Sequence, residues 1–100
     1  MGNILNEEQV AQIRAINAKQ KELDKTYGDF NSWMCESADD DLIVFFHNDL
    51  DLSFYADFYG NIFGYYGDFE ISNELREIVR LEGQKCQIAY YGKIQDRNER

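Results

Sequence analysis

Carboxylates and tyrosines alternate with apolar residues between Asp49 and Tyr59. Because successive side chains of a strand point to opposite faces, this period of two predicts that the polar members share one face of a sheet. Aspartate forms charge-assisted hydrogen bonds with arginine and lysine, and tyrosine offers a rigid contact area that ends in a hydroxyl. The pattern therefore indicates a binding face for a basic partner protein, which we expect to contain Asp49, Asp51, Tyr55, Asp57, Tyr59 and, from the following strand, Tyr66.

A second acidic group is the run of Asp39, Asp40 and Asp41. The short polar residues around it are typical of an exposed loop, so we expect these three carboxylates at the rim of the same binding site. Charges at the rim of an interface mainly change the association rate. The run alone does not indicate a cation site, because calcium takes about six to eight oxygen ligands from a shaped loop.

The segment that begins at Asp49 and continues through Asp51 and Ser53 starts like a calcium-binding loop. In such a loop the sixth position is glycine and the twelfth is a bidentate glutamate. Here Phe54 and Gly60 occupy those positions, so the segment is not expected to bind calcium.

The side chains suited to zinc or to nucleophilic catalysis are few. His47 is the only histidine, and the spacing of Cys35 and Cys86 matches no zinc-binding pattern. We therefore expect free structural thiols, no metal, no cofactor and no catalytic residue. A small enzyme that uses His47 or Asp57 is an alternative, and it would require a concave pocket around a titratable group of perturbed pKa.

The charge of the chain is strongly partitioned. The net charge is −9, and residues 26–75 contain eleven acidic side chains and no lysine or arginine. The same fifty residues hold 13 of the 15 aromatic side chains. Carboxylates keep a sheet surface soluble, but the absence of any internal counter-charge favours a second interpretation, in which a basic partner supplies it.

Length and composition bound the remaining possibilities. A chain of 100 residues with 44% hydrophobic content predicts one compact domain over residues 1–100, with a frayed tail at 95–100. The longest apolar run, residues 42–46, is far shorter than the roughly twenty residues of a membrane span. The N-terminus lacks the features of a secretion signal, which favours a cytoplasmic location. The acidic balance argues against direct binding of nucleic acid or of an anionic membrane.

Residues 6–27 predict an amphipathic helix, with Asn6 and Gln9 as a capping box and Gly28 as the C-terminal cap. Its apolar stripe, which we expect to cover the sheet, consists of Val10, Ile13, Ile16, Leu23 and Tyr27.

Residues 29–41 are expected to be irregular, with one short helical turn that contains Phe30, Trp33 and Met34. The continuous apolar run predicts a strand over Leu42–His47 that is buried on both faces, and Asn48 and Asp49 supply turn chemistry after it.

The alternating segment predicts a strand over Leu50–Tyr59 whose apolar members face the core. Gly60 and Asn61 indicate a two-residue hairpin, in which Tyr55 opposes Tyr66 and the side chains of Phe63 and Tyr65 join the core. Gly64 is expected to mark a bulge or a close backbone approach.

Ser72 or Asn73 is expected to begin a second helix that ends near Gly83, and the alternation over 86–91 predicts a last strand. The expected order is therefore α-β-β-β-α-β. This is an α+β fold, with an antiparallel sheet of about four strands and both helices on one of its faces.

In size, acidity and aromatic content the chain resembles bacterial immunity proteins and antitoxins, and also phage-encoded DNA-mimic inhibitors. The resemblance includes no motif, so it assigns a role to no residue. It implies a small inhibitor, and the preferred hypothesis is an immunity protein that covers the basic site of a nuclease toxin. The alternative is a phage inhibitor of a host defence nuclease, of the anti-CRISPR or anti-restriction type. A structural subunit with uncovered sheet edges is a further class.

Overall fold

The structure, a computed structural model, describes residues 5–27, 33–38, 41–47, 49–68 and 70–94. It confirms an α+β fold with two helices and a four-stranded antiparallel sheet of strand order β1-β2-β3-β4. The observed order of elements is α-β-β-β-β-α, with one strand more before the second helix than expected and none after it. The elements are α1 (Glu7–Tyr27), β1 (Trp33–Ala38), β2 (Leu42–His47), β3 (Ser53–Asp57), β4 (Ile62–Tyr66) and α2 (Asn73–Tyr91).

The start of α1 is the predicted capping box. The Gln9 backbone N–H donates to Asn6 Oδ1 at 2.8 Å, and the Asn6 N–H donates to Gln9 Oε1 at 2.8 Å. These two bonds satisfy donors that have no partner inside the helix. The predicted cap at Gly28 and the predicted tail at 95–100 lie outside the described residues.

The expectation of an irregular segment before Leu42 was wrong, because Trp33–Ala38 forms β1, an edge strand paired with β2. Trp33 is buried, Met34 is exposed and Cys35 is partly buried, which is the alternation of a strand rather than of a helical turn. Phe30 lies outside the described residues. The sheet therefore gains its fourth strand on this side.

The strand β2 has the predicted bounds, although it is not equally buried on both faces. Ile43 and Phe45 are buried on the inner face, whereas Val44 and Phe46 are half-buried on the outer face. The inner face of the sheet packs on α2. The core between them contains Trp33, Ile43, Phe45, Phe54, Ala56, Phe58, Ile71, Leu75, Val79 and Cys86.

The strand β3 is shorter than predicted, and the hairpin to β4 has a different register. Ala56 pairs with Ile62 and Tyr55 with Phe63, so the connection is longer than two residues. Gly64, at φ +74°, is the extra residue of a bulge, and a Cβ there would lie 2.7 Å from Tyr55 Cδ2. Gly64 thus marks both a bulge and a close approach, as predicted. Phe63 was wrongly expected in the core, because the observed register pairs it with Tyr55 on the outer face, one residue before the bulge at Gly64. Tyr65 pairs with buried Phe54 at the sheet edge and is itself exposed.

The predicted last strand was also wrong, because α2 continues through residues 86–91 and ends at Gly92. Ser72 is the N-cap, and its Oγ accepts from the Leu75 N–H at 3.1 Å. Gly83 does not end the helix. A Cβ at this position would lie 2.3 Å from the Phe58 carbonyl oxygen, so glycine lets α2 approach the chain after β3.

The helix α1 packs on α2 rather than on the sheet, with Ile16 against Leu81 and Ile88. Hydrogen bonds from Gln9 Nε2 to the Gly92 carbonyl and from Gln20 Nε2 to the Ile78 carbonyl show that the two helices are antiparallel. Both helices therefore lie on one side of the sheet. No helix in the described part of the chain covers the other side.

Candidate functional site

The uncovered side of the sheet presents three rows of side chains, of which two extend across all four strands. Directly opposed residues of antiparallel strands share a face, so the strand register defines each row. Neighbours within a row are about 5 Å apart between Cβ atoms, and the rows are roughly 7 Å apart. We call the surface formed by the two four-strand rows the open face. The first row is Met34, Phe46, Ser53 and Tyr66, and the second row is Glu36, Val44, Tyr55 and Phe63.

Much of the open face is apolar and aromatic. Four of its large side chains are between 39% and 59% exposed, namely Met34, Tyr55, Phe63 and Tyr66. The Tyr55 and Phe63 rings are stacked, with centroids 6.4 Å apart and planes inclined by 26°. Because the Tyr55 ring lies close to the Gly64 backbone, the bulge holds this ring beside Phe63. The pair is a rigid apolar surface that faces solvent.

Of the predicted binding residues, the structure places Tyr55 and Tyr66 on the open face. Asp57 lies in the next row, opposite Leu42. Its carboxylate is used within the hairpin, where Oδ1 accepts from the N–H groups of Tyr59 and Asn61 at 2.8 and 2.9 Å. Oδ2 accepts from Asn61 Nδ2 at 2.8 Å. Asp57 therefore has a structural role in the β3–β4 connection, and its carboxylate is occupied by these bonds. Tyr59 is half-buried in the same turn.

The alternation predicted that Asp49 and Asp51 share a sheet face with Tyr55, but this prediction was wrong, because β3 begins only at Ser53. They are exposed in the β2–β3 loop, at the end of the sheet where Phe46 pairs with Ser53. This loop is held by His47, whose Nδ1 accepts from the backbone N–H groups of Asp49 and Leu50 at 3.1 Å each. Leu50, predicted to face the core, is 57% exposed there.

The opposite end of the sheet carries Asp41, in the turn between β1 and β2 at φ +60°. Tyr91 donates its hydroxyl hydrogen to Asp41 Oδ1, and this bond raises the pKa of Tyr91 to about 12. Ser37 Oγ and the Tyr90 hydroxyl, 3.1 Å apart, form a second link between β1 and α2. Asp41, which the sequence pattern placed at the rim of the expected binding site, thus links the β1–β2 turn to α2. The predicted rim residues Asp39 and Asp40 lie outside the described residues.

The structure also shows site residues that the sequence pattern did not indicate. Met34 and Glu36 belong to the unpredicted strand β1, Phe46 had been assigned to a fully buried strand, and Phe63 had been assigned to the core. The alternation of Trp33, Cys35 and their neighbours was the available signal for β1. The aromatic side chains are consequently not interleaved with carboxylates along one strand: Glu36 shares their face, and Asp49 and Asp51 lie in the loop at one end of the sheet.

The two cysteines are free thiols on the inner side of the sheet. Burial, reinforced by the nearby Glu82 carboxylate, raises the pKa of the Cys35 thiol to about 12 and that of the Cys86 thiol to about 11. Both thiols are therefore protonated at neutral pH, and a protonated thiol is a poor nucleophile and a poor metal ligand.

Features for other chemistry are limited within the described chain. No three described His, Cys, Asp or Glu side chains gather where they could hold a metal ion. Neither described helix is long and apolar enough to cross a bilayer. An open groove between α1 and α2 is lined by Leu23 and Leu81 with Lys19, Glu22, Glu77 and Ala18.

The fold and the site define a small α+β protein with an aromatic sheet face that no described helix covers. No protein-family model matches the chain, and no significant similarity is found to curated proteins or to solved structures. The functional argument therefore rests on the open face itself.

Proposed function

We propose that this protein binds a basic protein partner through the open face and thereby covers a nucleic-acid-binding site on that partner, as an immunity protein covers the site of a nuclease toxin. The observation that carries the proposal is the cluster of Met34, Tyr55, Phe63 and Tyr66, each at least 39% exposed, on a sheet face without a covering helix in the described chain. Contiguous exposed apolar surface on a soluble domain commonly marks an interaction site.

The charge of the surrounding chain supports a basic partner. All four strands and their connections fall within residues 26–75, which contain no lysine or arginine. Asp49 and Asp51 are exposed in the loop at one end of the sheet, and Glu36 is exposed on the open face. This arrangement steers a positively charged surface toward the face and repels a second copy of the same chain.

The composition of the open face suits a tight interface. Hot spots of protein interfaces are enriched in aromatic anchors near the centre, where water is excluded, and charged groups are more frequent at the rim. Here Tyr55, Phe63 and Tyr66 supply aromatic anchors on β3 and the edge strand β4, and the exposed carboxylates of Asp49 and Asp51 lie in the loop at one end of the sheet. A sheet also holds these side chains in fixed positions, so little conformational entropy is lost on binding.

The location that we propose is the cytoplasm. Cys35 and Cys86 are both reduced and buried or partly buried, which suits a reducing compartment. A nuclease toxin or a defence nuclease acts on nucleic acid in the same compartment.

The proposal is tested by capture and competition. The tagged protein is used to capture partners from its native host, bound proteins are eluted with a salt gradient, and their identity is read by mass spectrometry. The purified partner is then bound to a fluorescent oligonucleotide, and the protein is added in increasing amounts. We expect stoichiometric displacement of the oligonucleotide by the wild type and by Tyr65→Ala, and much weaker displacement by Phe63→Ala. A partner that binds the oligonucleotide and this protein together contradicts the proposed masking.

A further inference from the structure

The second row of the open face contains a shallow trough. Val44 lies between Glu36 on one side and Tyr55 on the other, directly opposite both in the strand register. Two strand spacings separate Glu36 from Tyr55, which is roughly 9.5 Å between backbones. Val44 is half-buried and has the shortest side chain of the row, so it forms the floor between two longer neighbours.

The two walls of the trough have complementary chemistry. Glu36 is exposed, and no described residue forms an ion pair with its carboxylate. In the strand register Tyr55 lies between Phe63, its stacking partner on β4, and Val44 on β2. The trough therefore offers an apolar floor, an anion and an aromatic ring.

These three features together suit an arginine better than a lysine. The guanidinium is planar and weakly hydrated, it stacks on aromatic rings, and it donates hydrogen bonds in its plane to a carboxylate. Its methylene stem packs on apolar surface. The ammonium of lysine is a compact, strongly hydrated charge that loses more hydration in such a trough.

We propose that the open face holds an arginine side chain of the partner over Val44, between the Glu36 carboxylate and the Tyr55 ring. This inference rests on the proposed function, because it names the side chain that the partner places at the centre of the interface. Glu36 forms the charged contact and Tyr55 the stacking contact. The aromatic pair of Tyr55 and Phe63 supplies the neighbouring apolar surface.

The test uses two acetylated and amidated pentapeptides that have glycine at every position except the third, which is arginine in one and lysine in the other. Each is titrated into the isotopically labelled protein while backbone amide shifts are followed by NMR. We expect saturable millimolar binding of the arginine peptide, with the largest shifts at residues 36, 44 and 55. The lysine peptide should bind about threefold more weakly, because its compact ammonium loses more hydration in the trough and lacks the planar donors of the guanidinium.

Two variants sharpen the test. Glu36→Gln removes the charge and keeps the shape, and it should weaken the arginine peptide about threefold, the size of an exposed ion pair. Glu70→Gln is the matched control, because Glu70 is an exposed carboxylate outside the sheet, and it should leave binding unchanged. Equal affinity for both peptides, unchanged affinity in Glu36→Gln, or no saturable shift up to about 20 mM peptide overturns the arginine site.

Different outcomes contradict the arginine site and the proposed function. If the two peptides bind with equal affinity but Phe63→Ala still lowers the affinity for the purified partner, the open face binds its partner without an arginine at Val44. If Phe63→Ala leaves the affinity for the partner unchanged, the proposed function itself is wrong.

Discussion

Asp57 is the residue for which the structure most changes the expected effect of a substitution. Its carboxylate accepts three hydrogen bonds in the β3–β4 connection, two from backbone N–H groups and one from Asn61 Nδ2. The backbone there is further held by the bond from the Asp57 N–H to the Asn61 carbonyl at 3.0 Å. Asp57→Ala removes all three side-chain bonds and leaves the N–H groups of Tyr59 and Asn61 to be hydrated by water.

The magnitude follows from these three bonds. Each intramolecular hydrogen bond contributes about 1 kcal/mol net, and the half-buried position lets water recover part of it, so we expect a loss of about 2 kcal/mol. For a domain of this size that corresponds to a fall of about 10 °C in Tm. Asp57→Asn retains Oδ1 as an acceptor for both N–H groups but loses the bond to Asn61 Nδ2, and it should cost about half as much.

The assay is urea denaturation followed by circular dichroism, with Asp51→Ala as the control. Asp51 is an exposed aspartate in the β2–β3 loop, and its substitution should stay within about 0.5 kcal/mol of the wild type. The reasoning is refuted if Asp57→Ala is as stable as Asp51→Ala. In that case the carboxylate would be free to act as the binding anchor that the sequence suggested.

Gly83→Ala should lower the free energy of unfolding by about 2 kcal/mol although alanine has the better helix propensity, because the added Cβ would lie 2.3 Å from the Phe58 carbonyl oxygen. Urea denaturation measures the free energy of unfolding, and a stabilised variant would contradict the prediction. Cys35 and Cys86 should react slowly with Ellman's reagent at pH 8 in the folded protein and quickly in urea, because burial raises the pKa of both thiols well above the ordinary value for cysteine. Since the folded thiols then retain protons that the unfolded thiols lose, the stability should also fall as the pH rises above about 9. The association rate with the partner, measured by stopped flow, should fall steeply as the Debye length falls from about 30 Å at 0.01 M salt to about 8 Å at 0.15 M. A rate independent of salt would mean that the acidic residues serve only solubility.

Sequence patterns predicted the elements that have one buried face. The capping box of α1, the bounds of β2 and the N-cap of α2 all agree with the structure, because local chemistry and a single period dominate there. The C-terminal half of α2 was missed because this helix lies between the sheet and α1. Leu81 and Ile88 face α1 while Val79 and Cys86 face the sheet, and burial on two sides obscures the helical period.

The sequence pattern predicted only part of the candidate site. The alternation from Asp49 to Tyr59 correctly placed Tyr55 on an exposed face, but it extended the strand beyond Ser53 and Asp57. Loop formation at Asp49 depends on the backbone bonds to His47, and the position of Phe63 depends on the bulge at Gly64. Both are set by tertiary pairing, which a single strand pattern does not contain.

The most direct test of the open face compares two neighbouring substitutions on β4. Phe63 and Tyr65 are 50% and 55% exposed on the same edge strand, but Phe63 belongs to the open face, whereas Tyr65 opposes Phe54 on the other face. The measurement is the affinity of Phe63→Ala and Tyr65→Ala for the purified partner by isothermal titration calorimetry, with circular dichroism to verify that both are folded. We predict a loss of about 2 kcal/mol, roughly thirtyfold, for Phe63→Ala and less than about twofold for Tyr65→Ala. Equal affinities for the two variants, or a larger loss for Tyr65→Ala, would contradict the assignment of the open face as the binding site.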